Sequence, residues 1–281
     1  MMEAPIRHLQ IEKVSNKGRV KEETFIIAES PVTLFLNDRE IVTLLATPEN
    51  VKELAVGFML SEGWLREDKP LEKIEVDPQG IVRIRVKYRN PLTEKLFLRR
   101  TITSGCGRGT IFYNVLDSLG TKKIHSSAKI SQGQVSKLMQ ELNQRSVLYR
   151  RSGSVHGAAL AKPEGILFFC EDIGRHNAVD KVFGAAFLQG FSSAGRILLT
   201  SGRVSSEILI KAVKRRIPFL FSYSGPTDLA VEMARKMGVT LIGYIRGSRM
   251  RIYSHGERVT SEGRNLRSGL RKGRNREDFS R

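Results

Sequence analysis

The residue most suited to covalent chemistry is a cysteine in the glycine-rich stretch TITSGCGRGT, residues 101–110. Cys106 has a glycine on each side, which argues against a core helix or strand at this point. Arg99, Arg100 and Arg108 lie close by in the sequence, and positive charge favours the nucleophilic thiolate over the thiol. The stretch therefore predicts an accessible nucleophile, with a chance thiol in a turn as the alternative.

The second cysteine has a different setting. Cys170 closes the apolar run ILFFC, so we expect a small buried side chain at the end of a strand. Two cysteines cannot build a disulfide framework, and the first twelve residues contain no apolar signal-like core. Both features favour a reducing cytoplasm. No apolar run reaches the roughly 18 residues that a membrane span needs, so no membrane association is expected.

Two kinds of cysteine chemistry fit Cys106. A hydrolase would need a histidine base nearby in space, for which His156 and His176 are the candidates. A sulfur carrier would need only one exposed thiolate on a mobile loop. Metal chemistry is not predicted, because the histidines are scattered and the sequence contains neither C-x-x-C nor H-E-x-x-H.

The sequence pattern of the first hundred residues predicts strands around one helix. The β-branched-rich runs at Pro31–Asn37 and Ile41–Thr47 predict a hairpin. A helix should follow, with Thr47 as its N-cap and Pro48 at its first position.

The second half of the chain shows a different pattern of predicted helices and strands. A helix is predicted over Gln132–Arg145 with Ser131 as its N-cap. From Gly153 onward, short apolar strands alternate with helices of about a dozen residues, and the last of these helices should be capped by Thr227 and closed by Gly238. The alternation predicts an α/β fold with a largely parallel sheet covered by helices.

We expect three regions: a β-rich N-terminal subdomain over residues 1–125 that ends in the cysteine loop, an α/β domain over 126–256, and a basic disordered tail over 257–281.

Polar loops that contain glycine follow the predicted strands. In an open α/β sheet the ligands bind beyond the carboxyl ends of the strands. Two of these loops contain Gly-Arg pairs, which end in Arg175 and Arg203, and a third loop is RGSR at residues 246–249. Helix-start amides beside an arginine suit a phosphate group. The loops therefore predict an anionic ligand, although none of them matches a named phosphate-binding fingerprint.

The net charge of +18 also points to an anionic partner. Nucleic acid is one alternative. However, aromatic residues make up only 7% of the chain, and no recognition helix of a DNA-binding motif can be identified. We therefore expect no nucleic-acid partner.

Several long stretches, taken together, resemble the FdhD family of formate dehydrogenase accessory proteins. They span about residue 30 to His255, and those of the second half are the most specific. The stretches are ENVKELAVGFMLSEGWL, TSGCG, GSVHGAAL, EDIGRHNAVDKVFG, SGRVSSEILIKAV and GPTDLAVEMARKMGVTLIGYIRGSRMRIYSH.

The resemblance implies a function and a fold. Members of this family look like sulfur carriers that take sulfur from a cysteine desulfurase as a cysteine persulfide. They pass it to the molybdenum cofactor, bis-molybdopterin guanine dinucleotide, before the cofactor is inserted into apo formate dehydrogenase. The family fold is a three-layer α/β/α sandwich similar to that of cytidine deaminases, and members are homodimers.

Carried onto this chain, the resemblance places the persulfide on Cys106. The arginines Arg175 and Arg203 at the strand ends would help to hold the phosphate-rich cofactor. The implied activity is sulfurtransferase-like, and the residues leave open whether the chain counts as an enzyme. The segment that contacts the cofactor would consist of Tyr244, Ile245, Arg246, Gly247, Ser248 and Arg249.

This sequence departs from the family pattern at one position and from a working deaminase at another. Many members have a C-x-x-C pair in the cysteine loop, but here the second position is Gly109. Any persulfide on Cys106 would then have to be discharged by the acceptor or by an outside reductant. A zinc deaminase needs H-x-E, whereas Gly157 and Ala158 follow His156. Deaminase activity is therefore not expected. A chaperone that delivers the cofactor without transferring sulfur is the alternative function.

Overall fold

The computed structural model describes residues 4–88 and 123–261 of the 281-residue chain. Cys106 and its neighbouring arginines lie outside the described residues, as does the chain from residue 262.

Residues 4–88 form a hairpin, a small sheet and one long helix. The hairpin is β1 against β2, and the small sheet has the strand order β4-β3-β6-β5. The predicted hairpin around residues 31–47 is confirmed as the antiparallel pair β3–β4. The elements in chain order are β1 (Ile6–Ser15), β2 (Gly18–Ile27), β3 (Ser30–Leu36), β4 (Arg39–Ala46), α1 (Val51–Glu62), β5 (Lys73–Val76) and β6 (Ile81–Arg85).

Residues 123–261 build the main sheet and the helices that cover it. The elements are β7 (Ile130–Ser131), α2 (Gln132–Arg145), α3 (Val147–Ser152), β8 (His156–Lys162), β9 (Gly165–Asp172), α4 (Arg175–Leu188), β10 (Ile197–Thr200), α5 (Ser206–Lys214), β11 (Phe219–Ser222), α6 (Asp228–Met237), β12 (Thr240–Arg246), β13 (Arg249–Ser254) and β14 (Val259–Thr260).

The six strands of the main sheet run in the order β13-β12-β11-β10-β8-β9. Only β10, β11 and β12 pair in parallel, while β8, β9 and β13 join antiparallel. The expectation of a largely parallel sheet is therefore wrong. The main cause is β8, whose small residues carry little strand signal in the sequence.

Two apolar clusters lie on opposite faces of this sheet. On one face α4, α5 and α6 pack over strand residues such as Leu160, Leu198 and Leu220. On the other face α2 packs over Leu199 and Phe221. Alternate strand residues thus point to alternate faces, and the result is the three-layer α/β/α arrangement.

Helix α1 packs directly on α4, and each of the two helices has a glycine at the point where they cross. A Cβ atom on Gly57 would overlap the carbonyl oxygen of Asp180, and one on Gly184 would overlap the carbonyl oxygen of Glu53. Only glycine lets the two backbones approach this closely. This contact fixes the N-terminal sheet, which packs on α1, to the main sheet.

The ends of two helices follow the predicted signals. Helix α2 begins after Ser131, whose hydroxyl accepts a hydrogen bond from the amide of Gln134, while the Gln134 side chain accepts one from the amide of Ser131. Helix α6 is capped by Thr227 and closed by Gly238 in the left-handed conformation. These predictions are confirmed.

Helix α1 begins later than predicted. Its N-cap is Asn50 and its first residue is Val51, so the assignment of Thr47 as N-cap and Pro48 as the first helical residue is wrong. Thr47 is buried, and its hydroxyl accepts a hydrogen bond from the amide of Ile173 at 3.1 Å. A tertiary contact has taken the place of the local cap.

Residues beside two of the expected region boundaries make defined contacts. Ile124 belongs to the core of the main sheet, where its amide bonds the carbonyl of Met237 at 2.9 Å. The residues after Gly256 form a 3₁₀ turn, Gly256–Arg258, and then β14, which pairs with β7. Among the described residues, regular structure thus extends to Thr260.

The glycine crossing gives a stability prediction. Gly57→Ala should lower the free energy of unfolding by about 3 kcal/mol, because a backbone carbonyl must move. Helix propensity alone would favour alanine by about 1 kcal/mol. Urea denaturation measures the change. Gly165→Ala is the control, because its Cβ would meet only the Glu141 carboxylate at 3.5 Å. Equal stabilities of the two variants would contradict the tight crossing.

Candidate functional site

One edge of the main sheet collects the polar loops. Strands β9, β10, β11 and β12 all end at this edge, and β8 begins there. The loops that carry Arg175, Arg203 and residues 246–249 follow β9, β10 and β12, and they are the loops that the sequence analysis selected. Ligands of open α/β sheets bind at such an edge.

His156 and Ser201 form a polar pair at the start of β8. The His156 Nδ1 atom lies 3.3 Å from the Ser201 hydroxyl, which also accepts a hydrogen bond from the Gly157 amide at 3.0 Å. Burial lowers the pKa of His156, and the positive charge of Arg175 lowers it further. The imidazole is therefore neutral near pH 7 and can donate or accept a hydrogen bond.

Arg175 lies against the glycine that follows Ser201. A Cβ atom on Gly202 would come within 2.8 Å of the Arg175 Cβ and 3.4 Å of His156 Nδ1. The glycine thus makes room for both side chains. The buried Nε of Arg175 has no hydrogen-bond partner among the described residues. A buried donor without a partner is uncommon, and a bound anion would satisfy it.

His176 is also placed at this edge but is a poor base. Burial, together with Lys211 and Arg175, lowers its pKa to about 3. It is neutral, and its Nε2 lies 3.4 Å from the Glu207 carboxylate. Of the two histidines considered for a hydrolase, His156 has its polar partner, Ser201, in the loop after β10, whereas His176 faces Glu207 of α5.

The loop after β11 connects these residues to the end of β12. The Ser224 hydroxyl donates to the Ser201 carbonyl at 2.9 Å, and the Tyr244 amide donates to the Ser224 carbonyl at 3.3 Å. Gly225 leaves space for the Tyr244 ring, since an added Cβ would lie 2.6 Å from the phenol oxygen. Tyr244 has a positive φ of 51°, is 47% exposed, and has the Arg251 guanidinium 4.6 Å from its ring centroid.

The segment from Tyr244 to Arg249 ends β12 and turns into β13. Arg246 lies over the Tyr223 ring at 5.0 Å, and its Nη1 donates to the carbonyls of Tyr223 and Ile245 at 2.8 Å. The Gly247 carbonyl accepts from the Ser136 hydroxyl at 2.8 Å, which ties the turn to α2. Ser248 and Arg249 are exposed.

Ile245 differs from its neighbours in this segment. Its side chain is 1% exposed and belongs to the apolar cluster under α2. Any contact between Ile245 and a ligand would therefore come from its backbone.

The structure brings most of the predicted binding residues to one edge but spreads them along it. Arg175 lies near β8 and β10, whereas Arg246 ends β12 and Arg249 begins β13. Three strand spacings separate β8 from β12, which is roughly 14 Å. Arg203 lies between them and is exposed. A ligand that used all of these cations would have to be long and carry more than one anionic group.

Ser201, Ser224 and Gly225 were not among the predicted binding residues, although Ser201 lies in the selected loop that carries Arg203. His156 was considered as a possible base for a hydrolase. The antiparallel pairing of β8 beside β10 brings it to Ser201, and no local sequence signal reports that pairing. Among the described residues, no group of histidines, cysteines and carboxylates could hold a metal ion.

Cys170 has the buried position that the sequence predicts. It is 4% exposed on β9, and burial raises the pKa of its thiol to about 12. A thiol of this kind is a weak nucleophile at neutral pH because the reactive thiolate is nearly absent.

This burial predicts the reactivity of Cys170. At about pH 8, iodoacetamide should leave Cys170 unmodified in the folded protein and alkylate it fully once guanidinium unfolds the chain. Peptide mass mapping measures both states, and the unfolded sample is the control for reagent activity. Rapid labelling of Cys170 in the folded protein would show that the thiol is accessible.

Comparison with known proteins gives a consistent picture. The family model described as FdhD/NarQ family matches residues 27–260. The chain is 39% identical over 240 residues to the sulfur carrier protein FdhD of Bacillus subtilis, covering 85% of this chain and 92% of that protein. It is 36% identical over 241 residues to the sulfur carrier protein FdhD of Listeria innocua, with the same coverage of both chains.

A solved structure confirms the fold. The crystal structure of a Desulfotalea psychrophila protein, described as a formate dehydrogenase accessory protein, matches with a TM-score of 0.75 at 23% identity. The match covers 92% of this chain and 100% of the other. The family model and the relatives together show that this chain belongs to the FdhD/NarQ family.

Proposed function

We propose that this protein is a sulfur carrier required for formate dehydrogenase activity, with Cys106 as the carrier residue. It receives sulfur from a cysteine desulfurase and passes it to bis-molybdopterin guanine dinucleotide before the cofactor enters apo formate dehydrogenase. The names of the relatives support the general role. We further propose that the protein works in the cytoplasm as a homodimer. Among the described residues, no helix has the length and apolarity needed to cross a membrane.

The observation that carries the proposal is the state of the second thiol. The chain has two cysteines, and Cys170 is buried with a raised pKa. Cys106 is therefore the remaining candidate for an exposed nucleophile. Its glycine neighbours and nearby arginines suit a thiolate that must meet a donor and an acceptor.

The loading step exchanges one sulfur–sulfur bond for another. The Cys106 thiolate attacks the outer sulfur of the desulfurase persulfide. A sulfur–sulfur bond forms on Cys106, the donor's bond breaks, and the desulfurase cysteine leaves as a thiolate. The terminal sulfur keeps its proton, and the step needs no external oxidant or reductant.

The edge of the main sheet at which β9, β10, β11 and β12 end supplies the binding surface for the molybdenum cofactor, which is the cargo of the protein. The cofactor carries phosphates in each of its two guanine dinucleotide arms, and the cations at the edge are spread over more than one strand spacing. Arg246 uses only Nη1 in the contacts described above, so its other donors can face a phosphate. Arg175, whose Nε has no partner among the described residues, could take a second anionic group.

Cys106→Ala should abolish the mass gain of one sulfur atom after incubation with a cysteine desulfurase and cysteine. The reason is that no other reactive thiol remains. Intact-protein mass spectrometry measures the gain, and Cys170→Ala is the matched control, which should still gain sulfur. Retained labelling of Cys106→Ala would overturn the carrier assignment. Formate dehydrogenase activity supported by Cys106→Ala in cells lacking the native protein would instead favour the chaperone that transfers no sulfur.

Arg246→Ala combined with Arg249→Ala should weaken the binding of GDP, used as a stand-in for the cofactor, by about tenfold, which corresponds to about 1.4 kcal/mol. The affinity of the wild type should also fall as salt rises, and less steeply in the variant. Calorimetric titration measures both. Lys13→Ala with Arg19→Ala removes the same charge from the exposed β1–β2 hairpin and serves as the control. Equal GDP affinities in both double variants would contradict the assignment of the turn.

A further inference from the structure

The turn that leads from β9 into α4 is held by a buried carboxylate. Asp172 is fully buried at the end of β9. One of its oxygens accepts from the Gly174 amide at 2.8 Å and from the Asn177 side chain at 3.0 Å. The other accepts from the Thr47 amide at 3.1 Å. The carboxylate therefore fixes the residues just before Arg175.

Lys181 neutralises this carboxylate from the second turn of α4. It is fully buried, and its Nζ lies 2.6 Å from Asp172 Oδ2. The ammonium group also donates to the carbonyls of Thr47 at 3.1 Å and Glu171 at 3.3 Å. A buried lysine that uses its donors in this way is well satisfied and has none left for a ligand.

Thr47 brings the N-terminal part of the chain into the same cluster. Its amide, its carbonyl and its hydroxyl all make contacts there, and the hydroxyl accepts from the Ile173 amide at 3.1 Å. The amides of Ile173 and Gly174, the two residues before Arg175, are both taken by this cluster. The path of the backbone into Arg175 is thus set by a residue more than a hundred positions earlier in the sequence.

The fixed backbone matters because few contacts from the described residues support the Arg175 side chain. The contacts described for its side chain are with Gly202, which only leaves space for it, and its buried Nε has no described partner. The orientation of the Arg175 side chain must therefore be set mainly by the backbone of the turn before it.

We propose that Thr47 and Lys181 are positioning residues, which hold the turn before Arg175 so that its guanidinium meets a phosphate group of the anionic cargo. This inference rests on the proposed function for the identity of the cargo. Neither residue is expected to touch the ligand. Their effect passes through the Ile173 and Gly174 amides to Arg175.

Thr47→Val is the sharper of the possible variants. Replacing Lys181 would leave Asp172 buried without its counter-charge and would endanger folding. Valine keeps the shape of threonine and leaves the backbone contacts of Thr47 in place, so only the bond from the Ile173 amide is lost. Thr47→Ser retains the hydroxyl and should bind as the wild type does. Thr43→Val, at the exposed hydroxyl pair of Thr33 and Thr43, is the matched control.

The experiment is a double-mutant cycle with GDP as the probe, read by calorimetric titration alongside thermal unfolding. Thr47→Val should weaken GDP binding about fivefold in the wild-type background and have almost no effect in Arg175→Ala, because the two changes remove the same interaction. An equal loss in both backgrounds would mean that Thr47 acts only on overall stability and would overturn the proposal.

The other outcomes separate this proposal from the function on which it rests. If Arg175→Ala does not change GDP affinity while the Arg246 and Arg249 variant does, the positioning proposal fails and the cargo site stands. If the wild type does not bind GDP, both fail. A Thr47→Ser variant as weak as Thr47→Val would also overturn the role of the hydroxyl.

Discussion

The close approach of α1 and α4 is the constraint on which the rest of the structure depends. Two glycines let the helices meet at backbone distance, and polar groups buried beside that contact are paired. The Ser61 hydroxyl donates to Asp180 at 2.6 Å, and Lys211 from α5 completes the buried carboxylate's partners. Arg215 bonds Glu67 at the border of the same interface. The Ser61–Asp180 hydrogen bond and the Arg215–Glu67 pair each join the two parts of the chain, so the contact favours one relative placement.

That placement has a consequence for the sheet edge. The main sheet brings the strand ends together, but the turn that carries Arg175 is completed by Thr47 from the N-terminal part. The edge is therefore built by both parts of the chain. Toward β12 the support is different, because there α2 and the loop after β11 hold the turn through Ser136 and Tyr223. One continuous edge thus has two separately supported groups of cations.

The elements set by neighbouring residues could be predicted from the sequence, and those set by distant contacts could not. Ser131 and Gln134 mark the start of α2 because the capping box is a local structure. Thr47 carries the same local signal, but its hydroxyl bonds Ile173 and the helix starts at Val51. The strand-end loops were predicted from the order of elements along the chain. The pairing of His156 with Ser201 was not, since it depends on an antiparallel strand of small residues between β9 and β10.

The burial of Cys170 limits how a carrier of this kind can release its sulfur. A persulfide can be discharged by a second thiol of the same protein, which then forms a disulfide with the first. Gly109 removes that option within the cysteine loop, and the raised pKa of Cys170 removes it on β9. On the proposed function, release then depends on the acceptor or on an outside reductant. A cargo held at the sheet edge would be the productive acceptor, because sulfur lost to a reductant never reaches the cofactor. Tight binding of the cargo would thereby serve the chemistry as well as delivery.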